Sequence, residues 1–353
     1  MTLARAVATI GGWTVVSRIA GFARDVLTAA AIGAGPAADA FIVALKLPNA
    51  LRRLSAEGAF GVAFVPLFST ELATHGHRPA QSFAEEAQAI MVAVLVPLTV
   101  ILIAAMPWVI RVLAPGFGDD PARLDLAVDL ARLTFPYLVL VSLVALYGGV
   151  LNSLGHFAPF AAAPVAFNLS LIAVLLAART FDWPAAPALA AGVTASGVLQ
   201  VAGLAWVCRA AGMPIRPVRP RLTPRMKRLW RLMTPGVLGA GISQISSLLT
   251  LVLASLLPTG AVSYLYYADR LNQLPLGIVG IALGSALLPV LSRTGGWVVA
   301  DTAGCGRTGD FGRTDCARAV RTWCLWPGSN CSYRCGPGRF RPRHSRCGDG
   351  QGT

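Results

Sequence analysis

The sequence has little charge, and less acid than base. Only 13% of its 353 residues are Asp, Glu, Lys or Arg, while 55% are hydrophobic. Soluble domains carry about twice that share of charge, so a water-facing globular fold is excluded and a polytopic helical membrane protein is implied. Cysteine is nearly missing from the main body: Cys208 stands alone, and the other six of the seven follow residue 304. A disulfide framework for the main body is thereby excluded. Histidine is scarce, with His75, His77 and His156 in expected loops, so neither a metal site nor a cofactor is expected. The 16 acidic residues are outnumbered by 30 basic ones, for a formal net charge of +14. The bases fall in loops and at a few membrane-depth positions rather than on one soluble face. Nucleic acid is therefore not the expected partner, and the excess speaks for topology and an anionic ligand.

The charge that is present gathers between residues 17 and 69, inside sequence that otherwise reads as membrane-embedded: Arg18, Arg24, Asp25, Asp39, Lys46, Arg52, Arg53 and Glu57. A charge at membrane depth costs about 2.5 to 3.5 kcal/mol on insertion scales, so such residues face a protein interior or a water-filled cavity. Arg18 and Asp25 lie seven residues apart on one face of a first helix, with Arg24 pointing elsewhere. Asp39, Lys46, Arg53 and Glu57, spaced seven, seven and four, share a stripe within roughly 40° on a second helix, and Arg52 lies off it. Pro48 removes a backbone donor, which predicts a kink or break near residues 47–49.

Spans near the ~20 residues needed to cross a bilayer are expected at 7–31, 37–67, 88–111, 126–151, 157–179, 185–209, 232–257 and 261–292. The apolar run at the start continues past Arg18 without a cleavage signature, so the first helix is read as uncleaved. The connection 209–231 carries Arg209, Arg216, Arg219, Arg221, Arg225, Lys227, Arg228 and Arg231, which the positive-inside rule places in the cytoplasm together with the N-terminus. Within it, PRMKRLWRLM is expected to lie as an amphipathic helix on the anionic leaflet. Tyr147, Asn152, Ser153, Asn168 and Ser170 read as hydrogen-bonding positions between helices.

The chain also resembles itself. ADAFIVALKLPN and GAFGVAFVPLFS align with YLYYADRLNQLP and VGIALGSALLPVLS at an offset of about 224, setting Lys46 opposite Arg270, Gly61 near Gly284, Pro66 opposite Pro289 and Ser69 opposite Ser292. Internal repeats are a transporter signature and place a substrate site between the repeated halves. After Ser292 the pattern stops, and residues 295–353 are rich in Gly, Arg and Cys with no Lys or Glu. They are read as disordered or out of frame.

SRIAGFARD, ADAFIVALKLPNALRR and EGAFGVAFVPLF closely resemble the N-terminal signature of the MurJ (MviN) lipid II flippases, and YLYYADRLNQLPLGIVGIALGSALLPVLS resembles their eighth helix. The resemblance covers residues 3–293. It implies an all-α MATE-like fold of the MOP transporter superfamily, with one complete six-helix lobe and the first two helices of a second. Domains follow: a lobe at 1–209, a basic cytoplasmic linker at 210–231, the start of the second lobe at 232–293, and a tail outside the family at 294–353. The implied activity is a flippase, not an enzyme. It moves lipid II from the cytoplasmic to the periplasmic leaflet of the bacterial inner membrane by alternating access. Its implied partners are lipid II, membrane lipids and the cell wall synthesis machinery. Further helices expected from the resemblance are not recognisable, which puts the activity of this chain in doubt.

The resemblance assigns Arg18, Arg24, Arg52 and Arg270 to a pyrophosphate-binding cavity, and Asp25, Asp39, Lys46, Arg53, Glu57 and Asp269 to charge pairing or gating. Arginine suits the task, because its planar fork grips two oxygens and stays charged. Two other classes compete. A drug or cation exporter of the same superfamily would need unpaired carboxylates, and here bases outnumber acids. A polyprenyl-phosphate-using membrane enzyme would need a catalytic cluster in an extramembrane loop, and these loops are short and poor in acids and histidine.

Overall fold

The computed structural model describes residues 3–52 and 60–273, all of them helix or short connection. Met1–Ile278 form one compact unit; the second, Val279–Thr353, holds the tail and lies outside the described residues. Arg53, Glu57, Gly284, Pro289 and Ser292 are also outside them.

α1 (Leu3–Ile32), α2 (Pro36–Arg52) and α3 (Gly61–His75) open the chain. α2 runs through Pro48 to Arg52, so of the kink or break expected near 47–49 the break does not occur; Pro48 is buried. α4 (His77–Ala104) is followed by α5 (Met106–Leu113), a single 3-10 turn at Pro115–Phe117, and α6 (Pro121–Thr134). The span expected at 88–111 is thus displaced: its helix starts about three turns earlier, in a polar stretch, and ends before Pro107. α6 starts on an Asp120 cap that accepts from the Arg123 N–H, with Pro121 in its first turn. α7 (Tyr137–Ser153), α8 (Phe157–Thr180) and α9 (Ala185–Ala210) follow. Among the described residues four stretches are long and apolar enough to cross a membrane: His77–Ala104, Pro121–Ser153, Phe157–Thr180 and Ala185–Ala210. The charges of α1 and α2 accompany these spans in one multi-pass bundle.

α10 (Pro224–Ser255) joins the basic stretch and the seventh expected span into one helix, running through Pro235. Met226, Leu229 and Met233 are buried against Phe60, Phe64 and Phe83, while Lys227, Arg228 and Arg231 stay exposed. The apolar face expected on the lipid leaflet is therefore taken by protein, because α3 and α4 offer it a drier surface. The last helix among the described residues, α11, covers 261–273.

Close approach comes from small residues. A side chain at Gly148 in α7 would run into the Phe160 ring of α8, and one at Gly197 in α9 would crowd Tyr137 and Leu140 of α7. Without a hydrophobic force between helices in lipid, this backbone proximity is what association rests on.

Candidate functional site

A cavity of about 1280 Å³ opens among α1, α2, α7, α8, α10 and α11. Its wall includes Arg18, Arg24, Asp25, Lys46, Arg52, Asp269 and Arg270, so seven of the charged positions singled out in the sequence meet on one surface. Arg24 belongs to it too, although its helical phase differs from that of Arg18. The α1 wall is broad, with Ser17, Gly21, Arg24 and Thr28 forming a second row beside Arg18, Phe22 and Asp25.

The centre is a carboxylate between two guanidinium groups. Asp25 Oδ1 accepts from Arg24 Nη2 at 2.6 Å and from Nε at 3.1 Å, and its Oδ2 lies 3.4 Å from Arg270 Nε. Tyr266 donates its hydroxyl to Asp25 at 3.5 Å and lies under the Arg270 guanidinium, 5.1 Å from its ring centroid. α1 and α11 are joined here by charge. Arg24 is held further by Asn168 on α8, whose Oδ1 accepts from Nη1 at 2.9 Å, and lies beside Phe167 at 5.8 Å. Arg270 is more open than Arg24, with 40% of its side chain exposed against 14%. Gln273 ties Asp269 and Arg270 along the helix, donating to the first at 2.6 Å and accepting from the second at 3.3 Å.

Asp39 is placed elsewhere. It is fully buried, in a cluster at the N-terminal end of α2; of the residues that share its stripe in the sequence, Lys46, Arg53 and Glu57, the last two lie outside the described residues. Arg123 of α6 donates to Oδ2 at 2.5 Å, the Gly260 N–H to Oδ2 at 2.7 Å and the Ser263 N–H to Oδ1 at 2.8 Å, joined by the Ser263 hydroxyl. Arg123 lies flat over Phe117, 3.7 Å from the ring centroid. Sequence reading missed Arg123, which looks like a loop charge among Asp119, Asp120 and Asp125. One signal pointed to the cluster: Asp39 and Ser263 are 224 residues apart, the offset of the internal repeat. Repeat-related positions that touch are what a pseudo-two-fold axis between two halves produces.

At the same end Tyr267 donates to the Gly33 carbonyl at 3.2 Å, and Gly116 comes so close to Ser255 that any side chain there would strike its carbonyl. The helix ends are closed around Asp39, while the cavity wall continues past Lys46 to Arg52, Gly61 and Asn152.

Of the polar positions expected between helices, Asn152 lines the cavity, whereas two bond across helices: Ser153 with Ser69 at 3.1 Å, and Tyr147 with Gln88 at 3.3 Å. Asn168 does so as well, donating to the Ser17 carbonyl at 3.1 Å, but it also reaches the cavity's central arginine.

The family model described as "Lipid II flippase MurJ" matches residues 28–296. A relative from Rhizobium meliloti (strain 1021), described as "Probable lipid II flippase MurJ", is 47% identical over 298 residues, covering 83% of this chain and 55% of the relative. The Burkholderia cenocepacia protein described as "Lipid II flippase MurJ" is 39% identical, covering 83% of this chain and 58% of its own length. The chain thus spans about half the length of these curated relatives. Among solved structures, "Lipid II flippase MurJ, inward closed conformation" superposes with a TM-score of 0.66 at 22% identity, over 80% of this chain and 58% of that one. A MOP superfamily transporter from Pyrococcus furiosus gives 0.60 at 16% identity, over 78% and 62%. At these identities the two show the fold alone, an all-α bundle like theirs.

Proposed function

The chain belongs to the MurJ family of lipid II flippases, and from that premise we propose that it serves to carry lipid II from the cytoplasmic to the periplasmic leaflet by alternating access. No bond of the substrate is made or broken, so the chain is a transporter and not an enzyme. The observation that carries the reading is the Arg24–Asp25–Arg270 cluster, an anion held between two cations on helices of the repeated halves, in a cavity also lined by Arg18, Lys46 and Arg52. A diphosphate offers the guanidinium fork a pair of acceptor oxygens, as a carboxylate does, at higher charge. Arg18, Arg24, Arg52 and Arg270 bind it; Asp25 is the counter-ion it displaces, and Asp269 and Lys46 balance charge around it. Arg53 and Glu57, which lie outside the described residues, are kept as charge-pairing or gating positions on the strength of their sequence spacing alone.

Asp39 works as the gate at the far end. With Arg123, Gly260 and Ser263 it closes the helix ends, and opening toward the other leaflet requires that cluster to separate. The chain is organised as a lobe at 1–209, a cytoplasmic linker at 210–231 and the start of a second lobe at 232–293, followed by an out-of-frame tail at 294–353. It resides in the bacterial inner membrane with a cytoplasmic N-terminus, among membrane lipids and the cell wall synthesis machinery. A cation exporter is the weaker reading, because Asp25, the one deeply held cavity carboxylate among the described residues, is already paired with two arginines.

The test follows lipid II on the outer leaflet of cells depleted of their own flippase, using a chain whose frame is restored near Arg293. Arg→Lys keeps charge and loses the fork, so a diphosphate clamp predicts that Lys at positions 24, 52 and 270 is nearly as damaging as Ala. Full transport by correctly inserted Ala variants at all three would refute the reading, as would rescue by the 353-residue chain itself for the tail.

A further inference from the structure

Asn168 sits in the middle of α8, 6% exposed, facing α1 where that helix has no side chain. The gap is Gly21, and a Cβ there would lie 3.3 Å from the Asn168 amide nitrogen. Through this gap Nδ2 reaches the Ser17 carbonyl at 3.1 Å. A carbonyl accepts and cannot donate, so the amide must turn its nitrogen toward Ser17 and its oxygen away. The oxygen then faces Arg24, whose Nη1 donates to it at 2.9 Å. Asp25 takes the opposite Nε–Nη2 edge of the same guanidinium.

The two partners differ in charge, and that difference has a consequence. Asp25 is anionic and competes with any anionic ligand for Arg24. Asn168 is neutral: it fixes the plane of the guanidinium without cancelling its charge. An arginine with one edge pinned by a neutral acceptor stays directed at the cavity after Asp25 lets go, so less side-chain freedom is lost when an anion arrives.

We propose that Asn168 is the positioning residue of the anion site, acting through Arg24, and that its neutrality is what leaves Arg24 available to a diphosphate. The proposal rests on the reading of Arg24 as a diphosphate ligand. It goes beyond the interhelical role of Asn168, because a merely structural amide predicts that diphosphate binding follows thermal stability in both the Ala and the Asp variant. A positioning amide predicts weaker binding by the Asp variant than by the Ala variant beyond any difference in stability, since a carboxylate beside Arg24 would form a permanent ion pair and repel the ligand.

The experiment measures binding of farnesyl diphosphate, with farnesol as the uncharged control, to the purified 353-residue chain in nanodiscs. Thermal unfolding is followed in parallel. Asn168→Ala should weaken diphosphate binding on the order of tenfold, the loss typical of a hydrogen bond to a charged group, and Asn168→Asp should weaken it further. In an Arg24→Ala background Asn168→Ala should cost nothing more. An Asp variant that binds better than the Ala variant, or an equal loss in the Arg24→Ala background, would overturn the proposal. A second readout needs no ligand: modification of Arg24 by phenylglyoxal, followed by mass spectrometry, should be several-fold faster in Asn168→Ala. If Arg24→Ala leaves diphosphate binding intact, the diphosphate reading falls by itself. The phenylglyoxal rate then decides about Asn168, an unchanged rate overturning its positioning role and a faster one upholding it.

Discussion

Four donors from two elements and a loop end converge on the Asp39 carboxylate. Such a group cannot be replaced by its amide without conflict. Asn offers one acceptor and one donor, so either the Gly260 or the Ser263 N–H would face another N–H, and Arg123 would lose its counter-charge in a site where its side chain is 4% exposed. Breaking a buried pair by removing one partner costs about 3 to 5 kcal/mol, whereas removing both is far milder. Asp39→Asn and Arg123→Ala should therefore each lower the thermal stability of the purified chain by that order. Asp39→Asn combined with Arg123→Met should recover part of the loss, and simple additivity of the two single losses would show that the pair is not coupled.

At the scale of elements, the basic connector shows what was legible and what was not. Its positive charge and its helix could be read from composition and spacing, but its docking could not, because the partners are polar residues some 130 positions away. Gln81 donates to the Pro214 carbonyl at 2.7 Å, the Arg216 N–H to Glu85 at 3.1 Å, and the Thr223 hydroxyl to Glu86 at 2.7 Å. Arg225 completes the strap with Glu86 at 3.5 Å and Glu71 at 3.7 Å. In the sequence those glutamates look like the polar start of a helix, and nothing local names their partners. The same holds for Arg123, whereas Arg18, Asp25 and Arg270 could be read because charge inside an apolar run is conspicuous by itself. These strap contacts are partly solvated, so about 1 kcal/mol is a fair weight for them together. Glu85→Gln with Glu86→Gln should raise the rate of trypsin cleavage at Arg221–Leu222 about fivefold, since proteolysis follows the population of the open form. The bonds after Arg216 and Arg219 precede proline and resist trypsin, which makes Arg221 the reporter. An unchanged rate would mean that the connector is held by the apolar face of α10 alone.

At the scale of the whole molecule, two ends of one bundle differ in charge and in closure. One end carries the connector, with Arg216, Arg219 and Arg221 exposed along 213–223. The other carries the Asp39 cluster, the 3-10 turn at Pro115–Phe117 and the turn after α8, where exposed Phe181 and Trp183 stack at 5.4 Å as aromatic rings do at a membrane boundary. On the proposed topology the positive end is cytoplasmic, which puts the proposed Asp39 gate at the periplasmic face and makes the closed end the outer one. This can be checked with single cysteines in a background where all seven native cysteines are replaced, since Cys208 is buried but the six others would react unpredictably. Asp182 is a poor place for the outer reporter, because its φ of 52° disfavours most side chains. Thr180, exposed two residues earlier, avoids that strain. An impermeant maleimide added to whole cells should label Thr180→Cys and leave Arg219→Cys untouched until the membrane is broken. Ser263→Cys, buried beside Asp39, should label slowly from outside and faster when Arg123→Ala loosens the cluster. Labelling at 219 in intact cells would invert the topology and move the gate to the cytoplasmic face; labelling at 263 that ignores Arg123 would remove the Asp39 cluster from the gate while leaving the topology intact.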